Sequence, residues 1–234
     1  MNIKLKNFDL IIINSSAGKD SLCSIYEIMR MAKAQNVDSD RIVVSHQDLG
    51  EAEWGGTFEL AKRQADLFGL EFYTSKRRDR NGYEESLLEY AERRGKWPSS
   101  QQRWCTSDFK RGPGARVVTK LTKGMQDVQV LYVFGFRKEE SPSRAKKQVV
   151  AINNTLTTKS RTVIDYLPIH DWSVEKVWET IHDNELPYHP AYDLGMPRLS
   201  CTFCIFSPFD ALVVAGYHNP KLLQKYVDIE DRID

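Results

Sequence analysis

The sequence predicts an α/β fold built on a parallel sheet, and three observations carry the prediction. Short apolar runs alternate with stretches whose apolar residues recur every three to four positions, so strand and helix patterns alternate along the chain. The first apolar run passes through a turn of small residues straight into such a periodic stretch. The chain has 234 residues, long enough to bury a substantial core without disulfides. Strands separated by helices imply βαβ units with right-handed crossovers. In such sheets ligands bind beyond the carboxyl ends of the strands, near the switch point.

The elements follow in order. Residues 9–14 contain the run Leu10–Ile13, the pattern of a fully buried strand. Residues 15–19 are a small-residue turn. Over 20–35, Leu22, Ile25, Tyr26, Met29 and Ala32 form one helix face. Residues 41–46 predict a second strand, 54–68 a helix ended by Gly69, 71–74 a third strand and 83–94 a helix stopped at Gly95. Residues 128–134 predict a fourth strand and 163–167 a fifth. Ser173 caps a helix running to Asn184 with Val174, Val177, Trp178 and Ile181 as its apolar face. A helix over 222–229 closes the chain. Residues 141–160 are polar without a clear period and predict a mobile loop. The expected organisation is one domain over 1–234, with a C-terminal extension from about 165 onward that carries the cysteines.

Composition narrows the function classes. Four cysteines are too few for a disulfide scaffold. No apolar run, Leu10–Ile13 included, approaches the length of a membrane span, and residues 1–9 do not resemble a signal peptide. A cytoplasmic globular protein is expected, with no membrane partner. Lys+Arg 33 against Asp+Glu 32 conceals an asymmetry. Residues 103–161 carry 13 basic and 4 acidic side chains, while 162–234 carry 5 and 12. A positive middle third suits a surface that meets the phosphates of a nucleotide or a nucleic acid, or one that pairs with the acidic C-terminal third.

The segment Ser16-Ala17-Gly18-Lys19-Asp20-Ser21 has the make-up of a phosphate cradle. Small side chains admit an anion to backbone N–H groups, and the helix N-terminus adds its positive end. Lys19 contributes a cation, and Ser16 and Ser21 contribute hydroxyls. The spacing is not that of the G-x-x-x-x-G-K-[ST] loop, because Asp20 follows Lys19 and no glycine lies five residues before Gly18. Cys201-Thr202-Phe203-Cys204 is a C-x-x-C, a spacing that suits a metal, a redox pair or two buried small residues. Cys23 falls within the first helix and is expected in the core.

Ser16–Ser21 resembles the pyrophosphate loop (PP-loop) of the ATP-pyrophosphatase group, the adenine nucleotide alpha hydrolase-like proteins. Ala17 stands where that pattern has its first glycine. Four further segments resemble the phosphoadenosine phosphosulfate reductase-like branch. They are Asp48-Leu49-Gly50; Arg103-Trp104-Cys105 with Lys110; Gly135-Phe136-Arg137 followed by Glu139, Glu140, Ser141 and Arg144; and Pro168 to Cys204, with Trp172, Trp178, Tyr192, Gly195 and Arg198. Together they span about residues 8–206.

The resemblance implies a doubly wound, mostly parallel sheet with helices on both faces that binds an adenine nucleotide. On that basis Ser16, Ala17, Gly18, Lys19, Ser21, Gly50 and Gly135 are expected to bind nucleotide. Asp20 or Asp48 would help to hold Mg²⁺ with ATP, and Arg137 and Arg144 would neutralise charge on pyrophosphate. The resemblance also places Cys105 beside Cys201 and Cys204, where three thiolates could hold an iron–sulfur cluster of the [4Fe–4S] type with one open iron, or zinc. Sulfonucleotide reductases use a Cys-Cys pair upstream, whereas Thr106 follows Cys105. They also use a nucleophilic cysteine in a C-terminal segment, and no cysteine follows Cys204 in this sequence. The expected activity is cleavage of ATP to AMP and pyrophosphate to activate a substrate for sulfur transfer, as in DNA phosphorothioate modification, with a sulfur donor such as a cysteine desulfurase. The alternatives are sulfonucleotide reduction and a non-catalytic nucleotide-binding subunit of a larger assembly. Lys76-Arg77-Arg78-Asp79-Arg80 is either a nucleic-acid contact or a solvated loop.

Overall fold

A computed structural model describes residues 3–233. Its elements begin with β1 (Leu10–Ser15), α1 (Lys19–Gln35), β2 (Ile42–Gln47), α2 (Thr57–Leu67), β3 (Glu71–Ser75) and α3 (Leu87–Arg94). Next come α4 (Trp104–Thr106), a wide helical turn over Ser107–Arg111, α5 (Gly112–Leu121) and β4 (Val128–Val133). The chain then forms α6 (Pro142–Ala145), β5 (Val150–Ile152), β6 (Arg161–Tyr166), α7 (Val174–Asp183), α8 (Phe209–His218) and α9 (Pro220–Ile233).

The six strands form one sheet in the order β3-β2-β1-β4-β6-β5. Every pairing is parallel except the edge pair β5–β6. The chain steps outward from β1 to β3, then returns to lay β4 against the other side of β1. The switch point therefore lies between β1 and β4. Ile13 is opposite Val133 there, and the Asn14 side-chain amide donates to the Val133 carbonyl at 3.0 Å.

Helices cover both faces, as the doubly wound expectation requires. Alternation along β1 sends Ile11 and Ile13 into a core with Ile25 and Ile28 of α1, Val44 and Val133. Ile12 points the other way, into a core with Val43, Val118 of α5, Val130 and Val163. Leu22 and Cys23 of α1 pack on Val177 and Ile181 of α7, so Cys23 is the core residue the pattern predicted.

Several boundaries differ from expectation for local reasons. α2 starts three residues late because Gly55 and Gly56 precede it, and Gly56 takes φ 86. α3 starts at Leu87 because Ser86 and Glu89 form a reciprocal capping box. The segment expected to be a mobile loop holds α6 and β5. Ser141 caps α6, and Ala151 pairs with Asp165. The α4–α5 region was not foreseen, since Gly112-Pro113-Gly114 has the composition of a break; here the chain stays helical from Trp104 to Leu121, and Pro113 follows directly on the wide turn over Ser107–Arg111.

Candidate functional site

The turn between β1 and α1 consists of Ser16, Ala17 and Gly18. Ala17 takes φ 57, a backbone that favours glycine, and its methyl group is buried among Trp54, Leu60 and Leu199. The turn is fastened by its own hydroxyls. Ser15 Oγ accepts from the Ala17 amide at 3.1 Å, and Ser21 Oγ donates to the Gly18 carbonyl at 2.8 Å. Gly18 gives α1 no side-chain cap, and the Lys19 amide at the helix start donates instead to the Tyr192 hydroxyl at 3.0 Å.

Lys19 is only 3% exposed. Its ammonium donates to Asp20 Oδ2 at 3.1 Å and to the Pro197 carbonyl at 3.3 Å. Across the switch point the chain leaves β4 through Gly135 and Arg137. A Cβ on Gly135 would stand 2.7 Å from the Asp20 carbonyl oxygen and 2.9 Å from the Ser21 nitrogen, so only glycine lets this backbone approach the helix start. Arg137 is 4% exposed and donates through Nε to Asp20 Oδ1 at 2.5 Å and through Nη1 to Glu139 Oε2 at 2.8 Å. Glu140 accepts from the Arg137 amide and pairs with Arg144, whose guanidinium lies 4.4 Å from the Phe136 ring centre.

The sequence-predicted residues therefore fall into two groups. Ser16, Ala17, Gly18, Lys19, Asp20, Ser21, Gly135 and Arg137 converge at the switch point, with Arg144 linked to them through Glu140. Asp48 and Gly50 instead line a cleft of about 750 Å³ with Trp54, Phe58, Lys76 and Leu222, and none of the turn residues lines it. Both aspartates already have partners. Asp20 has one oxygen on Lys19 and the other on Arg137. Asp48 accepts from the Gly50 amide at 2.6 Å and pairs with Lys76 at 3.2 Å.

Sequence reasoning passed over His46 and Glu53. His46, at the end of β2, is fully buried; its Nδ1 donates to the Ser15 carbonyl at 2.9 Å, and its Nε2 stands 3.4 Å from Glu53 Oε2. Burial disfavours the charged ring, but the Glu53 carboxylate, with the Ser15 carbonyl and the Asp48 charge, makes the net shift upward from 6.5. Nothing in the local sequence marks this pair, because the two residues meet only once β2 and the segment after it are placed.

Cys105, Cys201 and Cys204 share one packed cluster with Tyr90, Trp104 and Ile229. Glu53 forms an antiparallel bridge with Cys201, and the Thr202 amide donates to the Ala52 carbonyl at 2.8 Å. Burial pushes the Cys201 thiol up to about 11, partly offset by Lys110. Arg198 lies 3.5 Å from Cys204 Sγ. Among the described residues, no group of three or more His, Cys, Asp or Glu side chains is arranged to hold a metal ion as it stands. No described helix is long and apolar enough to cross a membrane.

Fold and site define an open α/β protein whose switch point is framed by the turn after β1 and the loop after β4. Residues 11–206 match the phosphoadenosine phosphosulfate reductase domain, and the chain belongs to that family. An uncharacterized protein of Methanocaldococcus jannaschii is 27% identical over 229 residues, covering 98% of this chain and 49% of its own length. An adenosine 5'-phosphosulfate reductase of Staphylococcus epidermidis is 31% identical over 106 residues, covering 44% of this chain and 42% of its own. The chain thus spans half the length of these relatives or less. The crystal structure of a phosphoadenylyl-sulfate reductase from Candida auris, a phosphate complex, has the same fold, with a TM-score of 0.56 and 20% identity over 84% of this chain and 83% of that one.

Proposed function

We propose that the protein is an enzyme that cleaves ATP to AMP and pyrophosphate, activating a substrate for sulfur transfer. One observation carries the reading: Lys19 and Arg137, two buried cations, meet on Asp20 beside the uncapped turn after β1. Phosphoryl chemistry depends on positioning and charge neutralisation, which this arrangement can supply. The Ser16, Ala17 and Lys19 amides already have side-chain acceptors, so the remaining amides at the start of α1 would receive the β- and γ-phosphates. An acceptor oxygen would attack the α-phosphorus, the bond to the bridging oxygen would break, and its electron pair would leave with pyrophosphate. Arg137, backed by Arg144, and Lys19 would offset the charge that develops. Sulfur would then displace AMP from the activated acceptor. Mg²⁺ would accompany ATP, but both aspartates are already engaged, so no step is assigned to a protein-held ion.

The sulfur acceptor on this reading is a nucleic-acid backbone, as in DNA phosphorothioate modification, and the sulfur donor is a desulfurase-type partner. Cys105, Cys201 and Cys204 would serve sulfur delivery or hold an iron–sulfur cluster or zinc. The three thiols do not form a ready ligand set, so no step runs through a metal. The test is incubation with α-labelled ATP: labelled AMP is expected, and labelled ADP would reject the reading. Sulfonucleotide reduction is the second reading, favoured by the local likeness to the staphylococcal reductase. It requires sulfite from an adenylylated sulfate with thioredoxin present, and no sulfite would dismiss it.

A further inference from the structure

We infer that Tyr192 is a positioning residue of the phosphate turn and donates its hydroxyl proton to a phosphate oxygen of the bound nucleotide, an inference that rests on the nucleotide reading above. Tyr192 lies 173 residues from Lys19, yet its hydroxyl oxygen accepts from the Lys19 amide at 3.0 Å. The same oxygen accepts from the Leu199 amide at 3.1 Å. A phenolic oxygen has two acceptor positions and one proton. Both acceptor positions are used, and among the described hydrogen bonds this hydroxyl donates none, so its proton is left for a ligand. The hydroxyl stands at the turn itself, 3.3 Å from where a Cβ on Gly18 would be.

The surroundings hold it there. The Tyr192 ring packs edge-on against Trp178 at 5.1 Å, and the Lys19 ammonium lies 5.4 Å from its centre. Lys19 reaches back to the Pro197 carbonyl, and Leu199 packs beside Gly18. Residues 192–199 therefore form a strap tied to the turn at three points. Burial pushes the Tyr192 hydroxyl well above its ordinary range, so it keeps its proton at neutral pH. A neutral donor suits an anion whose other contacts are the turn amides and Lys19.

The experiment compares wild type with Tyr192→Phe, titrating each with inorganic pyrophosphate and with ATP by calorimetry, and following the Lys19 and Leu199 amides by NMR. The inference expects Tyr192→Phe to bind pyrophosphate at least roughly tenfold more weakly, as loss of one hydrogen bond to a charged group would give. Wild-type Lys19 and Leu199 amides should shift together on titration. A purely structural role would lower the melting temperature of the free variant and leave the affinity of its folded fraction unchanged, which would overturn the inference. If Tyr192→Phe does not fold, wild type labelled with 3-fluorotyrosine supplies the readout, and a Tyr192 resonance unmoved by saturating pyrophosphate would overturn it. Wild type that binds neither ligand would reject the nucleotide reading itself, a result distinct from equal binding by the two proteins.

Discussion

Asp20 Oδ1 lies 2.5 Å from Arg137 Nε, so one carboxylate at the start of α1 joins two loops that are 117 residues apart in sequence. Its other oxygen takes Lys19. The site therefore depends on two cations sharing one anion, with side chains almost or largely withdrawn from water. Removing the anion leaves Lys19 without its carboxylate partner and Arg137 with Glu139 alone. Asp20→Asn is expected to destabilise the fold by about 3 kcal/mol, the order found when one partner of a buried pair is removed. Urea unfolding measures the loss. ATP cleavage should fall more than the folded fraction does, because the neutral amide cannot hold both cations in place.

Gly135 tests whether β4 must touch the helix start. An added methyl group would meet the Asp20 carbonyl and the Ser21 amide, which are backbone and cannot swing aside. Gly135→Ala is expected to cost about 1–3 kcal/mol as an overpacking change. It should also push the two loops apart and weaken pyrophosphate binding. Gly50→Ala is the control: it has open space around its missing Cβ and lies on the other cleft, although φ 61 makes it strained. It should lose some stability and keep its pyrophosphate affinity, as calorimetry would show.

What the residues disclosed, and what they withheld, divides along physical lines. Leu10–Ile13 followed by small residues and a periodic helix announced the turn, since burial, chain reversal and helix periodicity are local properties. Arg137 could be named from its segment, but its partner could not, because the Asp20 contact exists only after β4 docks beside β1. Which of Asp20 and Asp48 lies at the turn could not be read from the sequence for the same reason: one follows β1 and the other follows β2, and each is paired with a different lysine. Residues 141–160 were expected to be a loop because Val150–Ile152 is three residues long and pairs antiparallel at the sheet edge, too short for a period to register. α8 went unseen because Phe209–His218 mixes apolar residues on its exposed and buried sides, so no single face stands out.

His46 gives the fold a pH dependence whose sign follows from its partner. Nδ1 donates to a carbonyl, so a neutral ring would turn a bare Nε2 lone pair toward the Glu53 carboxylate. Protonation relieves that contact, and the folded-state pKa lies above 6.5. The stabilisation is fully present below about pH 6.5 and is lost as pH rises through the raised folded value. Glu53→Gln should remove the largest raising cause, leaving the Ser15 carbonyl and the Asp48 charge against burial. Wild-type stability should thus decline with rising pH across this window and the variant's should decline less steeply, if at all; urea midpoints at a series of pH values would show the difference, and equal slopes would reject Glu53 as the cause.

The cysteines should differ sharply in reactivity, because a thiolate is the species that alkylates. Burial pushes Cys23 up to about 12 and Cys201 up to about 11, so both are protonated at pH 7.5 and both are shielded. Cys105 and Cys204 are half-buried, and Cys204 has the Arg198 guanidinium beside it. Brief treatment of metal-free protein with iodoacetamide, read by mass spectrometry, is expected to mark Cys204 and Cys105 before Cys201, with Cys23 last. Equal labelling of Cys201 and Cys204 would mean that the Cys201 side of the cluster opens to solvent. Protein prepared without oxygen should show the same order if the thiols are free; protection of all three cluster cysteines, reversed by a chelator, would mean that a metal draws them into a ligand set.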